Sequence, residues 1–198
     1  MVAADGTGIS RSVPCPGDYC EPTDWSGDGT SILLSVHDAG NEDVWALPTK
    51  PDGEASPLLS AAYAEKDARY SPDAKWVAYV SEEAERPEVW VRSLTGPVRR
   101  MLVSGEGGNQ PVWRRDGKVL YFVDLKGKLR STDVRWGANG EPAFGLPVRP
   151  DLPQIGFGHW GTQYDISPDG SRMYFIQPTD EPAPTEIQVA INWSSLLD

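Results

Sequence analysis

Tyr70-Ser-Pro-Asp-Ala-Lys-Trp-Val-Ala-Tyr-Val80 joins a tight polar turn to a run rich in β-formers. The chain repeats this pattern. WSGDGTSILLSV begins at Trp25, WRRDGKVLYFV at Trp113 and ISPDGSRMYFI at Ile166. The turn aspartates Asp28, Asp73, Asp116 and Asp169 are 45, 43 and 53 residues apart, the length of one four-stranded propeller blade.

Each unit reads as strands a, b, c and d. Strand a ends at Trp25, Tyr70, Trp113 or Ile166, and an Asp-Gly or Asp-Ala turn reverses the chain. Strand b is the most apolar, at Ile32–Val36, Trp76–Val80, Val119–Val123 and Met173–Ile176, as burial on both faces requires. Strand c falls at Asp43–Leu47, Glu88–Arg92, Lys128–Thr132 and Glu186–Ile191. The more polar strand d falls at Ala55–Leu59, Val98–Val103 and Ala143–Val148. The fourth unit has no strand d, and Ile9–Val13 is expected to supply the closing strand, which removes an open sheet edge. The expectation is one all-β propeller domain or propeller fragment over 1–198, with units at about 20–60, 64–104, 108–149 and 160–193 and a closing strand in 1–14.

Composition agrees with many short strands: 39% hydrophobic residues, Gly 20, Pro 18 and Trp 8, with no sustained helical spacing. A net charge of −11 argues against a nucleic-acid partner, whose binders gather Lys and Arg on one face. No stretch is long and apolar enough for a membrane helix, and the first residues lack the basic-then-apolar order of a signal peptide. Cys15 and Cys20 either close a small disulfide loop in an oxidising compartment or remain free thiols. They are too few for structural zinc.

SPDG, an apolar strand and then Val-Trp resemble the WD40-like (PD40) repeat of the TolB-type β-propeller, over nearly the whole chain. The stretches Tyr164–Phe175 and Pro184–Trp193 also resemble the C-terminal end of propellers that follow bacterial serine/threonine kinase or regulator domains. That resemblance implies a sensory or protein-binding role and an extracytoplasmic, periplasmic setting. The third unit departs from the pattern with WRRDG, and the second with YSPDA. Four units are fewer than the family's usual number, so a closed four-bladed ring, two chains completing an eight-bladed ring, and a fragment of a longer propeller are all open.

No Gly-x-Ser-x-Gly elbow, HExxH or kinase motif occurs. No cofactor or metal is expected. His37 and His159 read as ordinary loop or strand-end histidines, and Glu82-Glu83 as a solvated loop pair. Asp24–Gly29 looks like the start of a calcium loop, but its twelfth position is Ser35, so it reads as a hairpin. Trp25, Trp113, Trp45 and Trp90 sit at repeat positions expected between blades. In propellers the d-to-a connections converge on one channel mouth. Here they offer Glu21, Glu65, Lys66, Asn109, Gln110, His159, Trp160 and Gln163, a polar set with one aromatic that suits a peptide or small polar ligand. The function expected is a non-enzymatic module binding a protein or peptide. The alternative is a hydrolase or lyase acting at the mouth, with or without a divalent cation.

Overall fold

A computed structural model describes residues 12–150, 163–167 and 170–175. Every regular element among them is a β-strand. The first sheet is β1 (Tyr19–Trp25), β2 (Ser31–Asp38), β3 (Asn41–Pro48) and β4 (Ser56–Leu59); the second is β5 (Glu65–Tyr70), β6 (Trp76–Ser81), β7 (Glu88–Ser93) and β8 (Arg100–Leu102). The third is β9 (Asn109–Trp113), β10 (Val119–Val123), β11 (Leu129–Trp136) and β12 (Pro142–Phe144), and β13 (Tyr164–Ile166) pairs with β14 (Met173–Phe175). All pairs are antiparallel and sequential, so each sheet is a meander. This is the propeller architecture expected of the repeat.

The turn that defines the repeat is held by its own side chains. Asp28, Asp73 and Asp116 each accept the backbone N–H two residues on, from Thr30, Lys75 and Lys118 at 3.0, 3.1 and 2.9 Å. Ser26 and Ser71 donate their hydroxyls to the same carboxylates, while Arg114 Nε takes that place in the third unit. WRRDG therefore makes the same turn with a different donor. The residue after the aspartate is left-handed in each, with φ of 73° at Gly29, 54° at Ala74 and 68° at Gly117.

The core lies between sheets. Strand β6 is buried at every position, because its sheet is covered on both sides. Leu33, Val44, Leu59, Ala68, Val77 and Tyr79 join the first and second sheets; Trp76, Val89, Trp113, Leu120 and Phe122 belong to the cluster joining the second and third. Val112, Val123, Leu129 and Tyr164 link the third to the fourth. Polar staples reinforce these joints: Arg92 donates to the Leu58 carbonyl at 3.1 Å and the Trp76 indole to that of Gly140 at 3.1 Å.

Three differences from the sequence reading stand out. Trp25 is 53% exposed and lies beside Gly29 at the turn, so it is not wedged between sheets as expected, whereas Trp113 is buried against Trp136 and Phe144. In the third unit β12 ends at Phe144, the Gly145 N–H still reaches the Asp133 carbonyl at 2.9 Å, and Leu146 and Pro147, the latter without an N–H for the ladder, leave the sheet before Val148 makes one bridge to Ser131. Glu82 and Glu83 are not merely solvated: they pair with Lys66 and Arg100. Of the expected closing strand, Ser12 and Val13 lie outside any strand; its remaining residues, like His159, Trp160 and Glu186–Ile191, are outside the described residues.

Candidate functional site at the inner strands

Strands β1, β5, β9 and β13 are the inner strands of their units, and their N-terminal ends carry the expected mouth residues. Glu21, Glu65, Lys66, Asn109 and Gln110 are not loop residues as expected but lie within these strands, and Gln163 immediately precedes β13. The hydrogen-bonded ladder starts several residues earlier than the apolar pattern suggests.

Each of the first three inner strands is bulged near this end, at Pro22/Asp24, Lys66/Arg69 and opposite Tyr121/Val123. Asp67 and Gln110 sit at equivalent positions, three residues before Tyr70 and Trp113, and both have φ of 53°. Left-handed backbone is costly for residues other than glycine, and here side-chain bonds between units oppose that cost. The Asp67 carboxylate accepts the Gln110 N–H, and Gln110 Oε1 accepts the Gln163 N–H at 3.1 Å. The same relation thus runs from the second unit to the third and from the third to the fourth. Tyr164 adds a bond from its hydroxyl to the Gln110 carbonyl at 2.8 Å.

Around this girdle the charges cluster. Lys66 Nζ meets Glu82 Oε1 at 2.7 Å, and Glu42 and Asp67 also hold its ammonium charged, above its ordinary range despite burial. His37 Nε2 lies 3.5 Å from Glu42 Oε1, and its ring contacts Tyr19 at 5.5 Å between centroids. Burial pushes the Glu42 and Asp67 carboxyls up, and Glu21 adds repulsion to Asp67. Deeper along the strands, Asp24 is likewise raised by burial, against bonds from the Trp25 and Tyr70 amides and the charge of Arg69; Asp165 of β13 is within electrostatic reach of it. The hydroxyl of Thr23 and Arg69 Nε are buried there with no hydrogen-bond partner among the described residues.

The structure therefore brings together Glu21, Lys66, Gln110 and Gln163 with His37, Glu42, Asp67 and Glu82, which the loop pattern missed. It does not bring Glu65 with them. Glu65 is 5% exposed and faces the joint between the first two sheets, where burial raises its carboxyl and Arg100 and Arg92 oppose that rise. Asn109 is partly buried and pairs with Val123 in the ladder. Beside Glu65, Arg100 lies over the Trp90 ring at 3.8 Å, donates to the Tyr79 hydroxyl at 2.7 Å and pairs with Glu83. Cys15 and Cys20 form a disulfide that ties the segment before β1 to the second residue of that strand. No group of three or more His, Cys, Asp or Glu able to hold a metal occurs among the described residues.

With this geometry in hand, the solved structures agree on the architecture. The TolB-like protein of Agrobacterium tumefaciens aligns over 82% of this chain and 61% of its own at a TM-score of 0.53, with 16% identity. The fold is a TolB-type β-propeller. A protein of Bacteroides uniformis described as a 6-phosphogluconolactonase aligns over 87% of this chain and 55% of its own, with 20% identity and a TM-score of 0.53. The periplasmic gluconolactonase of Pseudomonas aeruginosa aligns over 81% and 50%, with 18% identity and a TM-score of 0.53. In sequence, a Bacillus subtilis protein described as an uncharacterized peptidase, YuxL, is 26% identical over 119 residues, 56% of this chain and 18% of the relative. The chain thus spans 50–61% of these propeller structures and a small part of the peptidase. No family model matches it.

Proposed function

We propose that this TolB-type propeller is a non-enzymatic binding module whose inner-strand mouth takes a protein or peptide segment, as the sensory or scaffolding part of a larger bacterial protein. The observation that carries this reading is the girdle itself. Gln110, Asp67 and Tyr164 are spent on bonds between units, so the mouth is a preorganised rim, and its charged side chains are mainly carboxylates: Glu42 and Glu82 about Lys66, and Glu21 near Asp67. Such a rim favours a segment carrying Lys or Arg. An extracytoplasmic location is supported by the Cys15–Cys20 disulfide, which persists where thiols are oxidised.

The test is a photocrosslinking residue at position 21, with partners from the source cell envelope identified by mass spectrometry. A reproducible partner that Glu21→Lys together with Glu82→Lys abolishes supports the reading. Crosslinks that ignore both substitutions sink it.

A second reading, hydrolysis at the mouth, is favoured by one contact: His37 beside Glu42 is a base-and-carboxylate pair, and two of the structural neighbours are described as lactonases. Turnover of a sugar lactone that His37→Ala removes would replace the first reading with this one.

A further inference from the structure

A cleft of about 740 Å³ opens between the second and third sheets, built from β8 and its following loop on one side and β10, β11 and β12 on the other. None of its lining comes from an inner strand. Its floor is Val103 and Phe122, both nearly fully buried. Its rim gathers Leu102, Leu125 and Leu146, which are 46, 50 and 88% exposed. Large aliphatic side chains left in water and converging on one concavity mark a binding surface.

The width of the cleft is set by the backbone. Gly107 has φ of 91°, and a Cβ placed there would stand 2.4 Å from Leu125 Cγ, so Leu125 can lie against the loop only because this residue has no side chain. Ser104 is committed to Glu88, a buried carboxylate that also takes the Gly107 N–H, which fixes the loop from below.

The charges on the third-sheet wall do not cancel. Asp124 is engaged by Arg130 and by the Lys126 and Lys128 amides, while the Lys126 ammonium has no ion pair among the described residues. That wall therefore presents two cations against one carboxylate, on a chain of net charge −11. Glu106 stands on the opposite wall.

We infer that this cleft binds a small amphiphile with an apolar body and one anionic head. The body lies on Leu102, Phe122 and Leu146, and the head meets Lys126. A volume of this size falls within the range of small-molecule sites, roughly 300–1,000 Å³. The alternative occupant, a second copy of the chain, brings eleven further net negative charges to the contact and is opposed by repulsion.

The experiment titrates the full chain with a dansylated long-chain fatty acid and, in parallel, with its methyl ester. Saturable one-to-one fluorescence enhancement is expected for the acid, with the ester and the Lys126→Glu variant each about tenfold weaker, the scale of one charge-assisted contact. Leu146→Asp should abolish binding, and Glu106→Gln should not weaken it. Lys126 and Leu146 are exposed, so both variants should keep the wild-type melting temperature. No saturable binding, equal binding of acid and ester, or insensitivity to Leu146→Asp would each overturn the inference. A doubled mass in light scattering that Leu146→Asp reverses, without probe binding, would assign the face to a second copy and overturn it too.

Discussion

The Tyr70 amide donates to Asp24 Oδ2 at 2.7 Å, tying the last residue of one inner strand to the preceding unit's inner strand. The bond does for the first joint what Asp67 and Gln110 do for the next two. It is made deep along the strands, where burial raises the carboxyl and Arg69 stands 3.9 Å away. Asp24→Ala leaves a partly buried amide unpaired, and a loss of about 1–3 kcal/mol is expected. Asp24→Asn keeps an accepting oxygen and should lose less. Urea unfolding of both variants checks the order, and equal losses would mean that the charge, not the bond, matters.

Ala74 occupies a left-handed position that Gly29, Gly117 and Gly170 hold in the other units, with φ of 54° against 73°, 68° and 71°. The rest of the turn is intact, since Ser71 Oγ accepts the Trp76 N–H and Asp73 the Lys75 N–H. Ala74→Gly removes the Cβ strain at some entropic cost in the unfolded chain, for a net gain of about 0.5 kcal/mol. A raised melting temperature with unchanged tryptophan fluorescence is the expected result. A lowered one would mean that the unfolded-state entropy outweighs the strain.

These turns were legible because their physics is local. Asp73 and its amide partner are two residues apart, and the apolar run at Trp76 follows directly, so period, turn and buried strand could all be read together. The mouth was legible only in part, since its side chains are aimed by non-local geometry. Asp67 turns toward Gln110 because of a bulge and a left-handed φ that no composition signals. Glu65, one residue before Lys66, faces the opposite side of the strand and is lost to the joint between sheets. Of Arg99-Arg100, which look alike in sequence, the second stacks on Trp90 while the first reaches out to Glu141; register against Arg92 decides which.

Stability should fall as pH rises from about 4 to 6, where carboxylates titrate. Asp24, Glu42, Glu65 and Asp67 are all raised in the folded chain, chiefly by burial. A raised acid binds more protons folded than unfolded. Its contribution is therefore fully present below the ordinary carboxylate range and is lost as pH climbs through that range to the raised value. Asp28, Asp116 and Asp124 act in the opposite sense; the first two lie at the surface, where solvent screens them, which leaves Asp124, held down against some burial by the Lys128 amide, Arg130 and the Lys126 amide, to oppose the four raised groups. Glu65 is the cleanest probe: it faces Arg100 and Arg92 with Asp43 and Glu83 nearby, beside a Tyr79 hydroxyl pushed up to about 12. Melting temperatures across this window should decline less steeply in Glu65→Gln than in the wild type. An unchanged slope would remove Glu65 from the account.

The Cys15–Cys20 disulfide closes a short loop that the protein also pins by hydrogen bonds. The Asp18 N–H donates to the His37 carbonyl at 2.8 Å, and Gly17 packs so closely that a Cβ would stand 2.5 Å from the same oxygen. Tyr19, next in the chain, rests on the His37 ring beside Glu42. In the chain-entropy picture a loop this short contributes about 2 kcal/mol. Reduction should therefore loosen the entry to β1 and the His37–Glu42 pair while leaving β6, buried at every position, untouched. Hydrogen exchange with and without reductant separates the cases. Faster exchange at Asp18 and in the first residues of β1, with Trp76–Ser81 unchanged, is expected. Unaltered protection at Asp18 would show that backbone bonds and packing hold this side of the mouth without the disulfide.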